Sequence, residues 1–304
     1  MRLNKIILFF FIVITTNCFS QVDVNRCFQE IKEDFSPRIF QFSNNYLLTN
    51  SNNENTIYLI NKNKIKIFST LNYGVVNAVI DSDEKRIAIS YYDNNINIYD
   101  VSSTLLIKKL SFNSKANSLV FVNEALFYGL DDGTVGKYNF KTQKTSNITT
   151  HKSIVRGLLI NGNNLLSISQ DGVLEVNEIH SNNFLKQIFL NSVLTTLAIS
   201  PNEKLISIGT FKGEIYILNE NYQIEKKLHP HRGIITKLDF IDNNNLLSSS
   251  FDKTLIKSNL KNNFWEVIYR SNDYITTFDY NQNRIIFGSR NGITKYYNLN
   301  CQAR

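Results

Sequence analysis

The sequence predicts an all-β fold made of seven repeated units, and the spacing of one kind of turn is the first observation that supports it. Short polar turns rich in Asp, Asn or Gly separate pairs of apolar runs along the chain. Such pairs favour hairpin turns, because Gly adopts positive φ without steric cost and Asp and Asn tolerate it. The turns begin at residues 54, 93, 132, 171, 212, 252 and 291, which are 39 to 41 residues apart. A period this regular indicates repeated structural units.

The second observation is the apolar pattern around each turn. Alternate positions after a turn are mostly apolar, as at Ile96 and Ile98, and alternation with β-branched residues is typical of strands. One further run upstream and one downstream bring each unit to four strands. We therefore expect a seven-bladed β-propeller of four-stranded antiparallel blades, since stacked blades cover the faces that a single sheet leaves open. An aliphatic residue stands six positions before every turn: Leu48, Ile87, Leu126, Leu165, Ile206, Leu246 and Ile285.

Residues 1–20 have the features of a secretory signal peptide. Arg2 and Lys5 precede nine apolar residues, 6–14, and Cys18-Phe19-Ser20 fits a cleavage site. Nine apolar residues are fewer than the ~20 that span a bilayer, so we do not expect a transmembrane protein. We expect a secreted, periplasmic or cell-surface location. A lipoprotein acylated at Cys18 is the alternative, which the polar residues 15–17 disfavour.

The remaining residues, 21–304, are interpreted as a single propeller domain, because no Pro/Ser-rich linker or charge block interrupts the repeats. Without Arg2 and Lys5 this part has 31 basic and 26 acidic residues, a net charge of +5 that is scattered along the chain. A nucleic-acid partner would require a basic patch or stripe, so none is expected. No Gly-rich phosphate loop and no cluster at metal-ligand spacing is found, so we expect no cofactor and no metal in a monomeric propeller.

The chain resembles the WD-repeat family over its whole predicted mature length, and two repeats also keep polar residues at positions that are typical of that family. In that family a His precedes the first strand, a Ser or Thr lies on the second, and an Asp lies in the next turn. A Trp-Asp pair ends the third strand; here the Trp is replaced in every repeat, while an Asn, Asp or Glu follows it. The resemblance implies a buried hydrogen-bond network in the fourth and sixth repeats, formed by His151, Ser167 and Asp171 and by His231, Ser248 and Asp252.

Ser, His and Asp could also form a catalytic triad, but the same set occurs twice at matching positions and no Gly-x-Ser-x-Gly motif is present. We therefore predict no catalytic residues and expect a protein-interaction scaffold. One alternative is a propeller enzyme, such as a lactonase-like hydrolase with a site at the channel mouth. The mostly Asn and Thr composition of the channel-facing strand argues against it. Another is a purely structural subunit of an envelope complex.

The resemblance also implies that partners bind on the face where the turns between second and third strands emerge. The residues before these turns are Asn53, Tyr92, Asp131, Gln170, Phe211, Phe251 and Arg290. One strand inward, the expected channel ring is Asn77, Asn117, Arg156, Thr195, Thr236 and Thr276, with Arg156 as its only charge. We predict a site rimmed by Tyr92, Phe211, Phe251 and Arg290 above Arg156, suited to a peptide or protein that carries an acidic group. The alternative is that Phe211 and Phe251 fold back onto neighbouring blades as core.

The chain ends supply two further predictions. Only six residues follow the third strand of the seventh repeat, too few for a turn and a fourth strand. We predict that residues 22–32 provide this outer strand, with a short N-terminal helix as the alternative. Antiparallel pairing with residues 293–300 would bring Cys27 close to Cys301, so we predict a disulfide between them in an oxidising compartment, with two free thiols as the alternative.

Overall fold

The computed structural model describes residues 28–32, 38–51, 56–61, 65–69, 74–181, 183–281 and 284–298. Within these ranges the secondary structure is entirely β, with no helix. The strands are β1 (Phe28–Lys32), β2 (Phe40–Phe42), β3 (Leu47–Ser51), β4 (Thr56–Ile60), β5 (Ile65–Ser69), β6 (Val75–Ile80), β7 (Arg86–Tyr91), β8 (Asn95–Asp100), β9 (Leu106–Ser111), β10 (Ala116–Val122), β11 (Ala125–Leu130), β12 (Thr134–Asn139), β13 (Lys144–Thr150), β14 (Val155–Asn161), β15 (Asn164–Ser169), β16 (Val173–Glu178), β17 (Phe184–Phe189), β18 (Leu194–Ile199), β19 (Leu205–Thr210), β20 (Ile215–Asn219), β21 (Ile224–Leu228), β22 (Ile235–Phe240), β23 (Asn245–Ser250), β24 (Thr254–Asn259), β25 (Phe264–Arg270), β26 (Ile275–Asn281), β27 (Arg284–Ser289) and β28 (Ile293–Asn298).

The strands form seven four-stranded antiparallel sheets, which we number as blades 1 to 7. Blades 1 to 6 are each built from four consecutive strands, beginning with β2–β5 and ending with β22–β25. The first strand of each blade contacts the first strand or the second strand of its neighbour, and β2 of blade 1 contacts β26 of blade 7. The blades therefore close into a ring. The all-β, seven-bladed fold predicted from the repeat period is confirmed.

Blade 7 combines both ends of the described chain. Its sheet order is β1-β28-β27-β26, so its outer strand comes from the N-terminal side of blade 1. Phe28 lies opposite Tyr297, and Lys32 lies opposite Ile293. The backbone of residues 28–32 is thus a strand, in the place that the sequence assigns to part of residues 22–32. Residues 1–27 and 299–304, with the predicted leader, Cys27 and Cys301, lie outside the described residues.

The core lies between neighbouring blades. The aliphatic residue six positions before each turn is fully buried in all seven blades. Leu48 of blade 1, for example, belongs to the same cluster as Ile87 of blade 2. Burial of such a side chain contributes about 1.5–3 kcal/mol, so the second strand contributes to packing between blades all round the ring. The fourth strands are more exposed, as at Phe184 and Phe189.

Candidate partner-binding face

One backbone hydrogen bond recurs at the channel mouth in blades 2 to 7. The amide of the residue before each turn donates to the carbonyl of the residue before the blade's first strand. In blade 5, for instance, Phe211 N–H donates to Val193 O at 2.9 Å, and in blade 6 Phe251 N–H donates to Ile234 O at 2.9 Å. This bond holds the side chains of the residues before the turns on one face of the ring. In blade 1 the corresponding Asn53 lies outside the described residues.

A β-bulge recurs in the first strand of the same six blades. In each case one residue is skipped in the pairing with the second strand. A bulge leaves one residue outside the hydrogen-bonded pairing and changes the direction of its side chain. In this way the first strand of each blade can present one residue to the channel mouth. The skipped residues are Val76, Asn117, Arg156, Thr195, Thr236 and Thr276. The predicted ring is therefore right at five positions and wrong at one, because the bulge in blade 2 places Val76, and not Asn77, at the equivalent position.

A cavity of about 780 Å³ opens at this mouth, above blades 4 to 7 and blade 1. Its volume lies within the range of ~300–1,000 Å³ that is usual for ligand pockets. Among the described residues no carboxylate lines it. Three arginines, three aromatic residues and a set of polar and aliphatic residues do: Arg38, Arg156, Arg290, Phe211, Phe251, Tyr274, Gln170, Val193, Thr195, Ile234, Ile235, Thr236 and Thr276.

The aromatic residues form one wall of the cavity. Phe211 is 54% exposed and Phe251 is 37% exposed, so the alternative that both are core residues is wrong. Phe251 stacks on Tyr274, with ring centroids 4.9 Å apart and planes inclined by 21°. The guanidinium carbon of Arg290 lies 5.9 Å from the centroid of the Tyr274 ring. Such stacking keeps the aromatic surface in place while leaving part of it open to solvent.

Arg156 is held in one orientation by its own blade. When the Gln170 amide is turned so that its oxygen faces Arg156, this oxygen accepts hydrogen bonds from Arg156 Nε at 2.8 Å and from Nη2. Both residues line the cavity. The guanidinium is therefore a fixed positive group at the blade 4 end of the cavity, as the sequence predicts for a charge beneath the rim.

Tyr92 is 50% exposed at its turn but does not line this cavity. Its hydroxyl accepts a hydrogen bond from Arg38 Nη1 at 2.8 Å, so it positions an arginine that does. Arg38 was missed from the sequence. It adds positive charge to the cavity, while Arg156 is still the only charge among the six bulged residues. The sequence contained a signal for it, because Arg38 stands ten residues before Leu48, as the ring residue Thr236 stands ten before Leu246.

Blade 3 carries the only acidic residue among those before the described turns, and this residue is neutralised. Asp131 forms an ion pair with Lys115 and accepts a hydrogen bond from Asn117 Nδ2 at 2.5 Å. Lys115 Nζ also lies 5.9 Å from the centroid of the Tyr92 ring. Because Asp131 is paired with Lys115, it adds no net negative charge beside the arginines of the cavity.

The sixth repeat contains the predicted hydrogen-bond network. His231 Nε2 lies 2.8 Å from Ser248 Oγ, and Nδ1 lies 2.9 Å from Asp252 Oδ2. Asp252 Oδ2 also accepts the backbone amide of Arg232 at 3.0 Å. Burial raises the pKa of Asp252, but the hydrogen bonds from His231 and Thr254 outweigh it and hold this pKa well below its ordinary value. The network ties the turn to the second strand.

The network of the fourth repeat is less complete. His151 Nε2 lies 2.8 Å from Ser167 Oγ, whereas Nδ1 is 3.6 Å from Asp171 Oδ2 and has no hydrogen-bond partner. Burial lowers the pKa of His151, although Glu175 and Asp171 oppose the shift. Ser167 is fully buried, as is Ser248 in the sixth repeat, and neither lines the cavity. Both sets are built into the blades, as the resemblance implies.

In the described part of the chain no group of three His, Cys, Asp or Glu residues could hold a metal ion. Over the same residues, no helix has the length and apolar character needed to cross a membrane.

A closed ring of seven four-stranded antiparallel blades defines the class of this protein as a β-propeller. Residues 222–256, which span the fifth and sixth repeats, match the family model described as "WD domain, G-beta repeat". Together with the seven-bladed ring, this match supports the family predicted from the sequence, a WD-repeat β-propeller.

Solved structures share this fold at low sequence identity. A chain of the Mitotic Checkpoint Complex is 14% identical and superposes with a TM-score of 0.77, which covers 93% of this chain and 96% of that chain. The computationally designed Ika8 protein is 16% identical, with a TM-score of 0.71, over 88% of this chain and 97% of that chain. At these identities the likeness concerns the fold alone.

A curated protein shows a similarity in sequence. The non-toxic nonhemagglutinin of Paraclostridium bifermentans is 26% identical over 208 residues, which is 67% of this chain. The match covers only 16% of that protein, so this chain corresponds to a small part of its length.

Proposed function

We propose that this protein is a secreted or envelope-located interaction scaffold without a catalytic role, and that it binds a peptide or protein partner at the cavity on the channel mouth. WD-repeat propellers are typically protein-interaction scaffolds. The observation that carries the proposal is the cavity itself, in which exposed aromatic side chains and arginines lie together. These residue types are enriched among the residues that contribute most to binding energy at interfaces.

The exposure of Phe211 supports this location. A Phe that is 54% exposed at a turn keeps apolar surface in contact with water, where a polar residue would serve the turn equally well. Full burial of such a side chain contributes about 1.5–3 kcal/mol, and a partner that covers the exposed half of Phe211 would recover roughly half of this on binding. Phe251 and Tyr274 extend the same apolar surface toward blade 7.

The proposal is tested by site-specific photocross-linking. Phe211→p-benzoylphenylalanine places the cross-linker at the cavity, and Phe184→p-benzoylphenylalanine is the matched control, because Phe184 is 59% exposed on the outer strand of blade 4. Both variants are expressed in the source organism and irradiated. We expect one defined adduct from position 211 that is absent at position 184, and competition of this adduct by excess wild-type protein.

The same experiment separates the alternatives. Equal cross-linking at both positions, or at position 184 alone, would show that partners contact the outer strands, as in a structural subunit of a larger complex. An adduct at position 211 that excess wild-type protein does not reduce would show that the contact is not a saturable site. Either result contradicts the proposal.

A further inference from the structure

The charges of the cavity are placed at the two ends of its aromatic wall. Arg156 belongs to blade 4, and Phe211 and Phe251 belong to blades 5 and 6. Tyr274 and Arg290 belong to blade 7, and Arg38 precedes β2 of blade 1, which adjoins blade 7. Going round the ring, a guanidinium is followed by three aromatic rings and then by two further guanidiniums. No carboxylate of the described chain lines this arc.

Local contacts keep the two cationic ends apart. Arg156 is bound by Gln170 within blade 4. Arg38 is bound at the other end by the Tyr92 hydroxyl, and Arg290 lies against the ring of Tyr274. Since Arg156 is held in blade 4 while Arg290 and Arg38 are held in blades 7 and 1, the two ends of the arc do not converge on a single anion. The cavity therefore has two positions for a negative group, with an apolar surface between them.

From this arrangement we propose, on the basis of the function proposed above, that the partner presents an extended segment in which one aromatic or aliphatic side chain stands between two carboxylates. The apolar side chain would lie on Phe211, Phe251 and Tyr274, where aromatic contacts favour a flat or branched apolar group. One carboxylate would bind Arg156 and the other would bind Arg38 and Arg290, since guanidinium and carboxylate form strong charge-assisted hydrogen bonds.

The proposal is tested with peptides selected from a random phage-displayed library on the purified full-length protein. We expect enrichment of segments with an acidic residue on each side of an aromatic or aliphatic residue. A selected peptide is then synthesised in three forms, with both acidic residues or with one of them replaced by its amide. Fluorescence anisotropy should show that each amide weakens binding by about tenfold or more, as expected for the loss of a charged hydrogen bond.

Arginine variants assign each carboxylate to its end of the cavity. With Arg156→Gln the protein should become insensitive to one Asp→Asn or Glu→Gln change in the peptide while keeping its response to the other. Arg290→Gln combined with Arg38→Gln should show the reverse. Arg270→Gln is the matched control, because Arg270 is an exposed arginine on the outer strand of blade 6, and it should leave every affinity unchanged.

The outcomes distinguish this inference from the proposed function. Selected peptides without acidic residues that still lose affinity for Phe211→Ala would overturn the two-carboxylate inference and leave the binding face intact. If a single arginine variant abolishes the response to both carboxylates, the two-carboxylate inference is likewise overturned while the binding face remains. Peptides that bind Phe211→Ala, Arg156→Gln and the combined Arg38→Gln and Arg290→Gln variant as tightly as wild type would overturn both proposals. A selection that returns no binding peptide would do the same.

Discussion

The two His-Ser-Asp sets provide a comparison within one molecule, because the same residue type occupies the same place in two blades with different contacts. We predict that His231→Ala destabilises the protein more than His151→Ala does. Both histidines are buried, and both have Nε2 at 2.8 Å from a buried serine hydroxyl. They differ in Nδ1, which lies 2.9 Å from a carboxylate oxygen in the sixth repeat and 3.6 Å from one in the fourth.

The size of the difference follows from these contacts. Each substitution removes one hydrogen bond between neutral groups, which contributes about 0.5–1.5 kcal/mol, and leaves a similar void. His231→Ala also removes a hydrogen bond to the carboxylate of Asp252, and bonds to charged groups contribute about 1.5–3 kcal/mol. Asp252 is largely shielded, with 14% of its side chain exposed, so solvent offsets little of this loss. The free energy of unfolding should therefore fall by about 1.5–3 kcal/mol more for His231→Ala.

Urea denaturation followed by tryptophan fluorescence measures both variants against wild type. Equal denaturant slopes among the three proteins would show that the midpoints report stability. Equal losses of stability for the two variants would refute the reasoning, and so would a larger loss for His151→Ala. Ser248→Ala and Ser167→Ala serve as paired controls, because each removes the contact with Nε2 that the two sets share; Ser248→Ala also removes a hydrogen bond of 3.5 Å to Ile256 O.

Three further predictions test local features of the fold. Gly213→Ala should lower the free energy of unfolding by at least about 1 kcal/mol more than Gly162→Ala does. Both glycines have positive φ, but a Cβ at Gly213 would lie 2.3 Å from His231 O, whereas nothing lies within 4 Å of a Cβ at Gly162. Because burial lowers the pKa of His151, the unfolded chain binds a proton there more readily than the folded chain. Wild type should therefore lose stability faster than His151→Gln as pH falls below about 6.5, and identical pH dependence would contradict this. We predict a disulfide between Cys27 and Cys301, because Cys27 adjoins Phe28 and the strand partner of Phe28, Tyr297, lies four residues before Cys301. The intact mass of the secreted protein should then increase by about 2 Da on reduction, and an unchanged mass would mean free thiols.

The fold was predictable from the sequence because its strongest signals are local and repeated. Each turn needs residues that tolerate positive φ, as Gly172 and Gly213 do, and each second strand needs a fully buried aliphatic residue. Repetition adds these weak signals together at a fixed period. The loss of the Trp in every blade did not hide the fold. The buried aliphatic residues and hairpin turns remain in each repeat.

The site was predictable in part, and its misses have physical causes. Phe211, Phe251, Arg290 and Arg156 line the cavity as predicted, because the turn bond and the bulge recur in their blades. Val76 took the place of Asn77 because a bulge shifts register by one residue, which composition does not reveal.

The contribution of blade 1 was the other miss. Arg38 was not predicted because β2 is only three residues long. An alternation of apolar and polar residues over so short a strand does not show where the strand begins. Its contact with Tyr92 joins residues 54 positions apart in the sequence, and such long-range pairs follow only from the closed ring. Sequence patterns report what each blade repeats, whereas the cavity depends on how different blades meet.

The central claim is that the channel mouth above blades 4 to 7 and blade 1 is where the partner binds, and affinity measurement on surface variants tests it most directly. The partner identified by cross-linking is titrated by isothermal calorimetry against wild type, Phe211→Ala, Phe251→Ala and the control Phe184→Ala. We predict that the first two variants weaken binding several-fold or more while their thermal stability stays within ~1 kcal/mol of wild type, and that Phe184→Ala changes neither quantity. Unchanged affinity of Phe211→Ala and Phe251→Ala, together with a loss of binding for Phe184→Ala, would place the binding site on the outer strands and contradict the claim.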